Sequence, residues 1–178
     1  MLGWGIIFGI AALFLSIERL RPGRTLPVVK GWFARALSLN ALQLFITICV
    51  GWAWNSWLQG ESLGNLYVIP SLFLQGFLGW FVGTFVFYWW HRARHKINIL
   101  WRVFHQIHHS PARIETLTAF YKHPFEIFAN SLIINALLFA VLGISTEGAV
   151  WYNIFAVLGE FYYHANFRTP QWTGWFVQ

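Results

Sequence analysis

The chain has 178 residues, 57% of them hydrophobic and only 10% charged, with twelve Lys and Arg against six Glu and no Asp. A soluble domain carries roughly 25% charged residues, so this composition excludes an ordinary water-soluble globule and describes an integral membrane protein. The +6 net charge needs no nucleic-acid partner, because topology and attraction to anionic headgroups account for it.

The spans follow in order. Leu2 to Ile17 is apolar and ends at Glu18-Arg19. No basic residue precedes it, which favours an uncleaved first helix over a signal peptide. A second span runs from about Ala36 to Leu58 and includes the single cysteine, Cys49, so no intrachain disulfide is possible. A third runs from about Ile69 to the Trp89-Trp90 pair, a fourth from about Phe125 to Ile144, and a shorter fifth from about Ala149 to Tyr163. The first four approach the ~20 residues that cross ~30 Å of hydrocarbon, and the fifth is marginal. The expectation is an all-α, polytopic protein of four to five membrane helices, with residues 1–178 forming a single membrane domain. Twelve Trp and eighteen Phe suit lipid contact and interfacial belts.

Five alternating spans place every basic residue on one side. Arg19, Arg21, Arg24, Lys30 and Arg35 follow span one. Arg92, Arg94, Lys96, Arg102, Arg113 and Lys122 follow span three, and Arg168 follows span five. The opposite loops hold only Glu61 and Glu147. The positive-inside rule makes the basic side cytoplasmic and the N-terminus external.

All seven histidines fall on that same side. His91 and His95 read His-x-x-x-His, and His105, His108 and His109 read His-x-x-His-His, five imidazoles within nineteen positions. Spacings of three and four return to one face of a helix, and neutral imidazole is a common ligand for iron, zinc and copper. A lone interfacial histidine is usually only amphipathic, but five in one loop point to a site. His123, before Pro124, is weaker, since it would equally cap the fourth helix or contact headgroups. His164 emerges from span five, four residues after Glu160. A Glu inside an apolar span needs a partner, so Glu160 is a candidate ligand or orienting group, with a plain buried hydrogen bond as the simpler account.

Five to seven imidazoles exceed one four-coordinate zinc and fit two metals with open positions. Nitrogen ligation points to iron rather than to magnesium or calcium. His-Glu-x-x-His and Cys-x-x-Cys-His are both absent, which removes an intramembrane zinc protease and covalent haem. A bis-His haem between spans is another arrangement these residues permit, though it has no need of adjacent His108-His109.

The segments His91-Arg-Ala-Arg-His95 and Leu100-Trp-Arg-Val-Phe-His105-Gln-Ile-His108-His109-Ser110, with Phe87-Tyr88-Trp89-Trp90 before and His123-Pro124-Phe125-Glu126 and His164-Ala165-Asn166-Phe167 after, resemble the fatty acid hydroxylase superfamily, which includes sterol desaturases and sterol oxidases. The resemblance covers roughly residues 80–178. It implies a helical membrane enzyme with two non-haem irons held on the cytosolic side, His91, His95, His105, His108 and His109 as ligands, and His164 as a further one. It also implies O2-dependent hydroxylation or desaturation of a lipid (sterol, fatty acyl or related) with electrons from an external redox partner protein. A bacterial inner membrane and an endoplasmic reticulum membrane fit equally well. The pattern calls for a later His-x-x-His-His, and the sequence ends at Trp175-Phe-Val-Gln178 without it. The chain therefore reads as C-terminally incomplete, and the 178-residue form is expected to be inactive. The alternative function is a non-catalytic or split membrane protein with a relic metal site.

Overall fold

A computed structural model describes residues 2–57 and 61–173. The predicted end of span two at Leu58, part of the following loop and the Trp175–Gln178 terminus lie outside the described residues.

Five long helices build the molecule. Helix α1 spans Leu2–Leu20 and α2 Trp32–Trp57. Helix α3 spans Leu72–Lys96 and is followed by a short α4, Asn98–Leu100. Helix α5, Pro124–Asn135, continues as a π-helical stretch over Ala136–Val141, and α6 spans Thr146–His164. Among the described residues the only β pairing is an isolated bridge between Pro22 and Phe167. The fold is all-α and polytopic, with α1, α2, α3 and α5 together with its π-helical continuation each long and apolar enough to cross a bilayer. Helix α6 is longer than the sequence suggested because Ser145 caps its start, accepting from Gly148 N–H, and the first turn begins at Thr146. Its 19 residues match α1 in length, while its Glu147, Asn153 and Glu160 keep it the more polar of the two.

Close approaches fix the relative directions. A methyl group on Gly3 would meet Val150, at the start of α6, while Glu18 near the end of α1 reaches Asn166 just past α6. Gln75 near the start of α3 accepts from Ser145 at the start of α6, and the far ends of both helices reach the histidines described below. Thus α1, α3 and α6 run parallel toward one end of the bundle. Helices α2 and α5 run away from it. Gly51 of α2 lies against Asn135 of α5, far from their first turns. Gly76 shows what a close helix contact demands. A Cβ there would sit 2.3 Å from Trp151 Cβ, so only glycine lets α3 and α6 pack this closely.

The burial pattern is inverted relative to a soluble protein. Fifteen polar or charged side chains are buried among the described residues against thirteen hydrophobic ones, while Phe8, Phe45, Trp52, Phe81 and Phe85 face outward. Lipid-facing helices gain nothing by hiding phenylalanine, and must instead sequester their polar groups between helices. Leu138, Ile144, Ala149 and Tyr152 form an apolar cluster away from the histidines, and Phe14, Ala119 and Phe161 form another nearer to them.

Candidate metal centre

The last turns of α3 carry His91 and His95 on one face, and their Nε2 atoms lie 2.9 Å apart. Ile97 adopts an extended conformation (φ −101°, ψ 112°) that stops the helix. The chain then folds back through α4 into a π-helical turn, Trp101–His105, closed by Gln106 N–H donating to Trp101 O at 2.8 Å. π turns recur at functional sites, where they redirect a side chain. Here the turn sets His105 opposite the end of α3. His109 follows one α-helical turn later, with its Nε2 3.0 Å from His105 Nε2. The two pairs meet edge to face. The His91 and His105 ring centroids are 4.6 Å apart, and those of His95 and His109 are 4.8 Å apart. One nitrogen from each of the four rings falls within 4.8 Å of the other three, and Trp101 lies over both His95 and His109.

Within each pair the spacing suits a shared cation. Nitrogen ligands stand about 2.0–2.1 Å from a first-row metal, so two at a right angle are about 2.9 Å apart and two at a tetrahedral angle about 3.4 Å. Both observed pairs match the right-angle edge. The donor set, four imidazoles and no thiolate, belongs to metals of intermediate softness such as iron.

Hydrogen bonds choose the tautomers. His105, fully buried, contacts the Glu126 carboxylate through Nδ1 at 3.1 Å. A carboxylate only accepts, so Nδ1 carries the proton and Nε2 keeps its lone pair for the cluster. His91 is arranged differently. Its Nδ1 faces Arg94 Nη2 at 3.3 Å, and guanidinium only donates. Neutral His91 therefore holds its proton on Nε2, shared with His95, and gives up the Arg94 contact if Nε2 takes a metal.

The remaining histidines separate into two roles. His108 turns away from the four, although its ring is 5.3 Å from those of His105 and His109. Its Nδ1 donates to Tyr121 O at 3.3 Å, and its ring lies 5.3 Å from that of His164. His164 Nδ1 donates to Glu160 O at 2.8 Å, so both rings of this second pair keep a lone pair on Nε2. The Glu160 carboxylate reaches Lys122 at 3.7 Å and His164 Nδ1 at 3.9 Å and stands outside the four-histidine group. His123 is the N-cap of α5, its Nδ1 accepting from Phe125 N–H at 3.2 Å.

Burial, with His105 and His95 close by, pulls the His109 pKa down from 6.5 to about 4. Burial and the Lys122 ammonium push His108 down as well. Neutral rings are what a metal requires. Below pH 6.5 an unfolded chain takes up protons that the folded His109 refuses until pH nears 4, so the fold loses stability across that window and is insensitive to this residue above it. Thermal unfolding of the metal-free protein should show a melting temperature that falls as pH drops from 6.5 to 4 and stays level from 7 to 8.

Three buried carboxylates frame the site. Sequence reasoning gave no role to them. Glu126 is one. Glu115 accepts from Arg113, Arg19 and Trp32, and Glu18 accepts from the Thr116 backbone N–H and hydroxyl and from Asn166 N–H. Glu115 and Glu18 bind the 113–118 segment to α1, to α2 and to the stretch after His164. In an apolar chain with no Asp, a Glu at the end of a span is the signal that finds Glu18 and Glu126, whereas Glu115 lies in the loop between α4 and α5 and carries no such signal.

The matching profile is that of the fatty acid hydroxylase family, over residues 76–178. The chain belongs to that family. The match begins within α3 and includes all seven histidines. No curated protein and no solved structure matches the chain. Membership gives the general character of the protein, an integral membrane protein of a lipid-oxidising family whose enzymes are generally diiron-dependent.

Proposed function

We propose that the protein is a membrane-bound lipid oxygenase, hydroxylating or desaturating a sterol, fatty acyl chain or related lipid with O2 and electrons from a separate redox protein. The observation that carries this reading is the convergence of four imidazoles at the end of the spans, in a chain of the fatty acid hydroxylase family. His91, His95, His105 and His109 would hold one iron, and His108 and His164 contribute to a second. Bound iron supplies the O2 activation that an unactivated C–H bond requires and that no side chain provides.

The chain's own residues do the rest. Glu126 and the Tyr121 carbonyl fix which nitrogens of His105 and His108 are free. Trp101 packs its ring against His95 and His109 and limits their rotation. The outward-facing aromatic helices keep the site at the bilayer edge, where a lipid chain can reach it without leaving the apolar phase. The basic end of the bundle, shared by the histidines, faces the cytoplasm in this reading, where a soluble electron donor has access. In hydroxylation one oxygen atom enters the lipid, and the other leaves as water with two electrons and two protons.

Iron-loaded protein expressed from its full native reading frame, placed in lipid vesicles and given reductant and 18O2, tests this. A lipid bearing one labelled hydroxyl, or one that has lost two hydrogens without label, is the expected product by mass spectrometry. Unaltered lipid across sterol and acyl substrates contradicts the proposal.

A further inference from the structure

The Arg94–Glu126 pair joins the two histidine motifs. Arg94 belongs to His91-Arg-Ala-Arg-His95, and Glu126 lies in the first turn of α5, where the helix dipole favours an anion. Both side chains are buried, at 4% and 0% exposure. An ion pair serving only the fold has its best geometry when guanidinium and carboxylate meet through two parallel bonds. These two do not. Glu126 Oε1 alone takes both Arg94 Nη1 and His105 Nδ1, and the second terminal nitrogen, Nη2, goes to His91. Glu126 Oε2 and Arg94 Nε are left buried without a protein partner. The pair gives up mutual contacts in favour of contacts to one histidine from each motif. A buried ion pair is costly and often replaceable by apolar residues without loss of stability, so its stability contribution alone does not explain this geometry.

We propose that Glu126, held by Arg94, is a positioning residue that fixes the ring of His105 and thereby the metal affinity of the four-histidine group. The inference rests on the metal-centre reading above. Without the carboxylate, His105 is free to rotate or to move its proton to Nε2, the atom that faces His109.

Cobalt(II) is the probe, titrated into metal-depleted, detergent-solubilised protein and followed by its visible absorption. Glu126→Gln should weaken binding by about 10–100-fold, the range for an outer-shell partner of a ligating histidine. In a His105→Ala background the same change should weaken it by less than about twofold, because its route of action is already gone. Equal losses in both backgrounds, or unchanged affinity in Glu126→Gln, overturn the proposal. Gln at this position leaves Arg94 unpaired, so Arg94→Met/Glu126→Gln, which removes both charges, serves as the second variant. It should lose affinity to the same extent, and full affinity there also overturns the inference. If the unaltered protein binds no cobalt, the metal-centre reading itself fails along with this one. Normal cobalt binding with an indifferent Glu126 removes only the positioning role.

Discussion

His105→Ala is expected to weaken iron retention by more than ~100-fold, beyond what loss of an outer-shell partner costs, and, in protein expressed from the full native reading frame, to abolish lipid product. His105 is fully buried, contacts the rings of His91, His95 and His109, and has its tautomer set by Glu126. Alanine removes a donor that no neighbour can replace. It leaves Glu126 paired with Arg94, so the fold keeps its nearby ion pair and the protein should still be recovered from membranes. His123→Ala is the contrasting control. It removes an N-cap contact worth about 0.5–2 kcal/mol and should leave bound iron unchanged. Metal content and product formation, measured on both variants at equal protein, check the pair. Equal iron in the His105 variant and the unaltered protein would contradict the assignment.

Glu115→Ala is expected to be the most destabilising single change, by about 3–5 kcal/mol, the range for stranding one partner of a buried ion pair. Glu115 is fully buried, and Arg113, its partner at 2.7 Å, has a side chain only 10% exposed. Trp32 Nε1 loses its acceptor too. Arg19 is 47% exposed and relaxes into water, so it adds little. The damage should spread to the site, because the segment anchored by Glu115 leads into Tyr121, whose carbonyl holds His108, and into the His123 cap of α5. Glu147→Ala, at an exposed position whose contact is with neighbouring Thr146, should stay within about ±0.5 kcal/mol. Unfolding in mixed detergent micelles distinguishes the two. A Glu115 variant as stable as the Glu147 variant would show that the buried carboxylate is not what anchors the segment.

The spans and the histidine spacing were legible in the sequence because each depends on short-range periodicity. Twenty apolar residues leave little choice but a membrane helix, and His-x-x-x-His on a helix puts both rings on one face wherever that helix lies. Helix ends moved by a few residues where caps decide them. Helix α3 starts at Leu72 behind the Ser71 cap, and α1 continues through Glu18 because that carboxylate finds Thr116 and Asn166. What was not legible depends on tertiary position. Spacing alone groups His105, His108 and His109. The fold turns His109 toward α3 and His108 toward His164, a division that follows from the turn at Ile97 and the π-helical Trp101–His105. The rule that singled out Glu160, an acid inside an apolar span, applies with more force to Glu126. The Glu160 side chain is 36% exposed and Glu126 is not exposed at all. Choosing between them requires knowing which helix face looks inward, and low amphipathicity in a lipid-facing helix hides that from the sequence.

Elemental analysis of the protein purified from membranes without added metal tests the central claim most directly, beside a His91→Ala/His95→Ala/His105→Ala/His109→Ala variant. The account predicts iron in the unaltered protein, no Soret band in its absorption spectrum, and a lower iron content in the variant, which loses the iron held by these four imidazoles. Zinc or haem in place of iron, or an iron content that does not fall when all four imidazoles are gone, would contradict it.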